Sequence, residues 1–191
     1  MGSAGVKMGI KIRMATVADA AELVAIYAPY VLNTAVSFEY EVPSVEEFAE
    51  RIRQRLEKYP YLVAVMEEKI VGYAYASPFH SRAAYGWGAE LSIYVHWDKR
   101  GCGIGRVLYE RMEELLKKQG ILNLNSCIAW PNPESVGFHE KLGFQLVGHF
   151  HKCGYKLGQW HDMVWMEKML GDHRNPPAEV KKISEIEKAL E

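Results

Sequence analysis

The chain has 191 residues, with 23 Lys and Arg against 24 Asp and Glu, so its formal net charge is -1. At about 150 residues per domain, this length predicts one domain plus an extension. The balanced charge argues against a nucleic-acid-binding surface. Apolar residues make up 49% of the chain and charged residues 25%, which argues against extensive disorder. No apolar run reaches the roughly 18 residues that a membrane-spanning helix needs.

The cysteines and the N-terminus point to the cytoplasm. Cys102, Cys127 and Cys153 are odd in number and widely spaced, so we expect no disulfide framework. The first residues contain no hydrophobic segment of a secretory signal. The usual zinc-ligand spacings are absent, and His149-x-His151 is the one close histidine pair, on one face of a predicted strand. We therefore expect no metal site.

Hydrophobic periodicity and turn residues predict a series of strands and helices. In chain order, the first half gives a strand at 10–15, a helix from about 20 that Pro29 ends or kinks, a helix from a Ser44–Glu47 capping box to about 57, and strands 61–67 and 70–77 joined by a turn at Glu68-Lys69. After a loop at 78–88, the second half gives strand 89–96, helix 104–118, strand 122–130, helix 133–142, and strands 144–155 and 161–170.

This order predicts an α/β protein, a mixed sandwich of one sheet with helices on its faces. Residues 1–170 would form the domain and 171–191 an extension. Residues 171–177 resemble a linker, and an amphipathic helix follows, with Val180, Ile183, Ile186 and Leu190 on one stripe. That helix could pack on its own domain or on a second subunit, and the sequence leaves both open.

Three glycines, Gly101, Gly103 and Gly105, stand between the predicted strand 89–96 and the predicted helix 104–118. Glycines allow backbone N–H groups to converge, and a helix N-terminus adds free donors and a partial positive charge. Three cations flank this turn: Lys99, Arg100 and Arg106. The pattern predicts an anion site, most naturally for a pyrophosphate, with an ordinary glycine-rich turn as the alternative.

Two common phosphate motifs do not fit this turn. A P-loop needs Gly-Lys followed by Ser or Thr, and the dinucleotide pattern G-x-G-x-x-G fails in both registers. What remains is Arg100-x-x-Gly103-x-Gly105, which resembles the acetyl-CoA signature of the GNAT superfamily of N-acetyltransferases. Asn132, Ser135 and the ending Leu142-Gly143-Phe144 resemble the second motif of that family. The resemblance covers about residues 10–169.

This resemblance implies a single mixed, mostly antiparallel sheet flanked by helices and splayed at its central strands. It implies acetyl-CoA as co-substrate, no metal, and a homodimer. The implied cofactor-binding residues are Ile93, Tyr94, Val95, Arg100, Gly101, Cys102, Gly103, Ile104, Gly105, Arg106, Asn132 and Ser135. Ile93 and Val95 are equally explicable as core, and Asn132 and Ser135 as helix-capping residues.

A narrower resemblance concerns the acceptor. The segment from Ser77 to Arg82, Trp87 and the run 154–162 resemble the phosphinothricin and methionine sulfoximine acetyltransferases. That implies acetylation of the α-amino group of a small amino acid or analogue, a small-molecule partner without nucleic acid or membrane. Two alternatives remain open: another amine (a polyamine, an aminoglycoside or a protein N-terminus), or a non-catalytic CoA-binding sensor.

The reaction needs a neutral amine, so a base is useful. Glu90 is the candidate, with a carboxylate paired to Arg82 as the alternative. His139 is the candidate general acid, with a buried core histidine as the alternative. Arg82 is the candidate carboxylate clamp, since a guanidinium binds a carboxylate with two hydrogen bonds. The candidate walls of the acceptor pocket are Phe38, Phe79, Tyr85 and Trp87, which could equally be packing residues.

Overall fold

The structure of the chain is a computed structural model, and it describes residues 9–188. The predicted absence of a secretory signal and the predicted position of Leu190 lie outside this range. Within it, no helix is both long enough and apolar enough to cross a membrane.

The protein is built on one seven-stranded sheet with the strand order β1-β2-β3-β4-β5-β7-β6. The strands are β1 (Lys11–Met14), β2 (Tyr61–Met66), β3 (Lys69–Pro78), β4 (Gly88–Val95), β5 (Asn123–Trp130), β6 (Gln145–Lys156) and β7 (Gln159–Met169). Every neighbouring pair is antiparallel except β4 and β5, which run parallel. The predicted α/β class with a mixed, mostly antiparallel sheet is confirmed.

The central strands β4 and β5 pair over only a short stretch and then diverge. They pair only at Gly88 with Asn123, Ala89 with Leu124, and Glu90 with Asn125. Beyond Glu90, β4 continues to Val95 beside β3 alone, and β5 continues beside β7. The sheet therefore opens into a cleft whose apex is at Glu90, as the family resemblance implied.

Helices cover both faces of the sheet. They are α1 (Ala20–Asn33), α2 (Val45–Leu56), α3 (Ile104–Gln119), α4 (Pro133–Lys141) and α5 (Ile183–Lys188). The apolar stripe of α3 supplies one core, because Ile104, Leu108, Met112 and Leu115 are all fully buried there. Each such side chain contributes about 1.5–3 kcal/mol on burial. A second core lies on the other face, between the sheet and α1 and α2.

Local capping chemistry fixes the start of α2. The Ser44 hydroxyl accepts a hydrogen bond from the Glu47 backbone N–H at 3.1 Å, which confirms the predicted cap. One of the two alternatives for Pro29 and the predicted position of one turn were wrong. Pro29 lies inside α1 and does not end it. The β2–β3 turn is centred on Glu67 and Glu68, which both have positive φ, one residue earlier than expected.

The extension after residue 170 folds back onto its own domain. Ile183 and Ile186 of α5 are buried in the α3-side core. The Gln119 side-chain amide donates to the carbonyl of Lys181 at 2.8 Å, and the Trp87 indole donates to the carbonyl of Ala178 at 2.7 Å. The sequence left open whether the extension packs on its own domain or on a second subunit. The described residues of the extension pack on its own domain.

Candidate active site

The glycine turn leaves its backbone open. Gly101 and Gly103 have φ of 75° and 78°, the left-handed conformation that glycine adopts without strain. Within residues 9–188, no atom other than those of the adjacent residues lies within 4 Å of where a Cβ would stand on either glycine. Gly103 is the N-cap of α3, so the first N–H groups of α3 face this open space. Cys102 is exposed between the two glycines.

Arg100, Arg106 and Gly105, three other residues of the turn, each have different neighbours. The Arg100 guanidinium stacks on Trp97 at 3.4 Å and donates to the Trp97 carbonyl at 3.1 Å. Arg106 forms an exposed ion pair with Glu110 at 3.2 Å, a contact that contributes little in water. A Cβ on Gly105 would stand 3.5 Å from the Phe138 ring, so Gly105 lets α3 approach α4.

The backbone hydrogen-bonding groups of successive β4 residues point alternately toward β3 and toward β5. The Gly88 carbonyl accepts a hydrogen bond from the N–H of Phe79, the residue that follows β3. The His96 N–H donates to the carbonyl of Val71 on β3. The Ala89 carbonyl, by contrast, accepts from the side chain of Asn125 on β5. Even-numbered residues therefore bond toward β3 and odd-numbered ones toward β5. Because β5 diverges beyond the pairing of Glu90 with Asn125, the N–H groups of 93 and 95 point into the cleft.

This alternation separates the three residues predicted on β4. Ile93 and Val95 have side chains packed against the α3-side core, but their N–H groups face the cleft. Tyr94 points the other way, and its ring packs on Tyr27 and Tyr73 at centroid distances of 5.0 and 5.2 Å. The structure thus brings Ile93 and Val95 to the cleft and places Tyr94 in the aromatic core.

Asn132 caps α4 at the far wall of the cleft. Its side-chain oxygen accepts a hydrogen bond from the Ser135 N–H at 3.2 Å. The capping alternative is therefore realised for Asn132 and Ser135. Both residues remain half-buried.

Glu90 stands at the apex of the cleft, on the sheet face that carries α1 and α2. Its carboxylate forms no hydrogen bond or ion pair with any residue that the structure describes, and the alternative pairing with Arg82 is not formed. Burial raises the pKa of Glu90, while the positive charge of Arg55 acts in the opposite direction. A half-buried carboxylate without a partner, held at a sheet opening, is a candidate proton acceptor.

Sequence reasoning missed Arg55. It lies on α2 and lines a cavity of about 250 Å³ with four tyrosines, among them Tyr75. Arg51 lines the same cavity but is held by Glu39 and Glu47 at 2.7 and 2.6 Å. Within residues 9–188, the Arg55 side chain has no hydrogen-bond partner. The sequence contained one signal for Arg55: it follows the buried residues Phe48 and Ile52 at intervals of four and three, which places it on the same face of α2.

The predicted pocket walls divide between two places. Phe79, Tyr85 and Trp87 line a cavity of about 660 Å³ at the start of β4 and β5. Phe38 does not line that cavity: it lies against Gly154 of β6, with its ring 6.2 Å from the His161 ring. Arg82 is exposed in the loop and lines neither this cavity nor the one beside Arg55.

His139 is buried on α4. One ring nitrogen, Nδ1, lies 2.8 Å from the Ser135 carbonyl and donates to it. The ring packs between Phe138 and Phe144, at 5.3 and 5.0 Å. Burial lowers the pKa of His139, so the imidazole is neutral near pH 7. This arrangement matches the core alternative, and the general-acid role of His139 stays a prediction.

Cys127 lies on β5 beside the cleft. Partial desolvation of the thiol and the nearby negative charge of Glu90 raise the pKa of Cys127 to about 12. The thiol is therefore protonated at neutral pH and unsuited to nucleophilic attack.

Comparisons with known proteins identify the class. An acetyltransferase (GNAT) domain family matches residues 12–165. Phosphinothricin N-acetyltransferase of Streptomyces viridochromogenes is 33% identical, covering 93% of this chain and 96% of that protein. L-methionine sulfoximine/L-methionine sulfone acetyltransferase of Pseudomonas aeruginosa is 33% identical, covering 89% and 100%. The crystal structure of a Sinorhizobium meliloti phosphinothricin acetyltransferase with acetyl-CoA is 35% identical, covers 90% and 95%, and has a TM-score of 0.86.

The chain belongs to the GNAT family and is an acetyl-CoA-dependent N-acetyltransferase. Its own residues fit the donor substrate. Two left-handed glycines expose the start of α3 to a diphosphate, and the open edge of β4 offers N–H groups to an extended pantetheine arm.

Proposed function

We propose that this enzyme acetylates the α-amino group of a small amino acid or analogue, of the phosphinothricin, methionine sulfoximine or methionine sulfone type. The observation that carries the proposal is the position of Glu90. It is an unpartnered carboxylate with a raised pKa at the point where β4 and β5 separate. The similarity to enzymes named for those acceptors supports the same substrate class.

Glu90 acts as the general base, directly or through one water. A chain-terminal α-amino group has a pKa of about 7.7–8.0, and the carboxylate of a free amino acid raises it further. The amine therefore arrives as an ammonium ion and passes one proton to Glu90. The neutral nitrogen then attacks the thioester carbonyl and a C–N bond forms. The C–S bond breaks and CoA leaves as a thiolate, which takes the second proton from the acylated nitrogen, so that the products are the amide and the CoA thiol. Glu90 then releases its proton to solvent. The thiol pKa of about 8.5 makes that leaving group acceptable without a charged acid, in keeping with a neutral His139.

Backbone groups position the donor and stabilise the oxyanion. The turn from Arg100 to Arg106 holds the diphosphate with the first N–H groups of α3. The N–H groups of Ile93 and Val95 lie on the open edge of β4 and supply the donors for the tetrahedral oxyanion. A preorganised donor of this kind contributes about 2.7–4 kcal/mol to catalysis.

Two arginines are candidates for the acceptor carboxylate. Arg55 lines the cavity of about 250 Å³, its positive charge acts on the pKa of Glu90, and its guanidinium is unpaired among the described residues. Arg82 is the residue that the family resemblance implies, and its exposed position in the 78–88 loop leaves it free to bind substrate. We place the α-carboxylate on Arg55 and assign Arg82 to a second polar group of the acceptor.

The test is an assay of CoA thiol release with a panel of amines. Phosphinothricin, methionine sulfoximine and methionine sulfone form the first group; a polyamine, an aminoglycoside and an alanine-terminated peptide form the second. We expect turnover with the first group and far lower kcat/KM with the second. Preference for the second group contradicts the proposed acceptor class. Binding of acetyl-CoA in calorimetry without thiol release from any amine would identify a sensor.

The homodimer implied by the resemblance stays a prediction. Edge strand β6 carries Leu146, Val147 and Phe150, all exposed, and such apolar groups on an unpaired edge favour association. Sedimentation measurements would decide between one and two copies.

A further inference from the structure

Two histidines and an aspartate meet on the β6–β7 hairpin. His149 Nε2 lies 2.9 Å from Asp162 Oδ2, and His151 Nδ1 lies 3.1 Å from the same oxygen. The two imidazole rings are 4.3 Å apart. All three potential ligand atoms lie within 4.8 Å of one another.

A backbone irregularity builds this arrangement. Phe150 pairs with Met163 and Gly154 with His161, so residues 151–153 of β6 bulge opposite Asp162 alone. Lys152 has a positive φ of 48°, and its N–H donates to Asp162 Oδ1 at 2.7 Å. One oxygen of the carboxylate thus holds the bulge, and the bulge brings His151 beside His149. The other oxygen is left facing both rings.

We infer that His149, His151 and Asp162 form a binding site for a divalent transition-metal ion, with Zn²⁺ as the expected occupant. Two imidazole nitrogens and one carboxylate oxygen are ligands that zinc prefers, at about 2.0–2.2 Å. Ligand atoms around a tetrahedral zinc ion are therefore about 3.4 Å apart, so small side-chain rotations complete the set. The carboxylate is ionised at neutral pH, since an ordinary aspartate has a pKa of about 3.9.

The ion would stabilise the hairpin and would not take part in acetyl transfer. The three ligands come from two strands, so the ion cross-links β6 to β7 across the bulge. The His151 side chain is 76% exposed and those of His149 and Asp162 are 32% and 26% exposed, which leaves the remaining coordination positions to water. Sequence spacing could not point to this cluster, because Asp162 joins the histidine pair only through strand pairing.

The experiment is calorimetric titration of the tag-free, full-length enzyme with zinc chloride. We expect one zinc per chain and a higher Tm with zinc. His151→Gln should weaken binding at least about tenfold, and it should fold normally because its side chain is largely exposed. His149→Gln should do the same. Asp162→Asn keeps the shape and should also weaken binding.

The matched control is His173→Gln. His173 is an exposed histidine outside the cluster, bonded to Asn123 at 2.7 Å. The His173→Gln variant should bind zinc as the wild type does. Equal affinity in the wild type, His151→Gln and His149→Gln would overturn the proposal, as would the absence of binding at millimolar zinc. The readout is independent of activity, so its failure leaves the proposed acetylation intact.

Discussion

The two sides of the cleft are built in different ways. The donor side of the proposed site, residues 91–106, consists of one continuous strand, turn and helix start, and the chemistry proposed for it resides in backbone N–H groups. The acceptor side of the proposed site is assembled from α2, the end of β3, Glu90 and the 78–88 loop, and the chemistry proposed for it resides in side chains. Backbone chemistry tolerates changes of side chain, whereas side-chain chemistry can be altered one residue at a time. On the proposed assignment, this contrast lets the acceptor change while the donor side stays the same.

The largest expected effect comes from closing the turn on the donor side. Gly103→Val forces a β-branched residue into φ 78° and blocks approach to the first N–H groups of α3. Loss of two charge-assisted hydrogen bonds, at about 1.5–3 kcal/mol each, weakens acetyl-CoA binding by more than about 100-fold. Calorimetry with acetyl-CoA measures this.

Gly158→Val is the matched control for that change. Gly158 has φ 79° and equally open surroundings, but it lies in the β6–β7 turn. It should lose similar stability and keep its affinity for acetyl-CoA. Retained affinity in Gly103→Val would show that the diphosphate binds elsewhere.

The next effect separates proton transfer from donor binding. Glu90→Gln removes the base but keeps its shape, so kcat/KM should fall by about 10²–10⁴-fold, with acetyl-CoA affinity unchanged. Glu50→Gln is the control, because Glu50 is another half-buried carboxylate and lies on α2 outside both cavities. Unaltered turnover of Glu90→Gln would exclude Glu90 as the base.

The raised pKa of Glu90 makes two pH predictions. A base must be ionised, so wild-type kcat/KM should fall as pH drops toward a value above the ordinary 4.5. A raised carboxyl pKa also means that the folded state loses stability as pH rises through it. Glu90→Gln should therefore be at least as stable as the wild type at pH 7, and thermal unfolding at pH 4 and 7 checks this.

A smaller effect distinguishes the two acceptor arginines. Arg55→Met should raise KM for carboxylate-bearing acceptors by about 10–100-fold. It should also move the acidic limb of the kcat/KM profile to higher pH, because the positive charge of Arg55 lowers the pKa of Glu90. Arg82→Ala should raise KM without moving that limb. If Arg82→Ala moves the limb and Arg55→Met does not, the two assignments are reversed.

The smallest catalytic effect belongs to His139. His139→Gln should lower stability by about 1 kcal/mol through its hydrogen bond to Ser135, with kcat unchanged. Denaturant unfolding and initial rates measure both quantities. A large fall in kcat with intact stability would restore the general-acid role.

The sequence by itself determined the donor side. Left-handed conformations demand glycine at 101 and 103, the Ser44 cap begins α2, and the α3 stripe buries itself against the sheet. These features depend on dihedral preferences and periodicity within a few residues, so they can be read along the chain. The positions of strands and helices followed with small shifts.

Tertiary structure alone decided the acceptor side. It brought the charge of Arg55 within electrostatic reach of Glu90, separated Phe38 from Phe79, and buried His139 between aromatic rings. It also set Asp162 against two histidines through strand pairing. Each of these contacts joins elements whose distance and orientation depend on packing of the whole sheet and its helices. Residue order fixes no such distance before the core has formed.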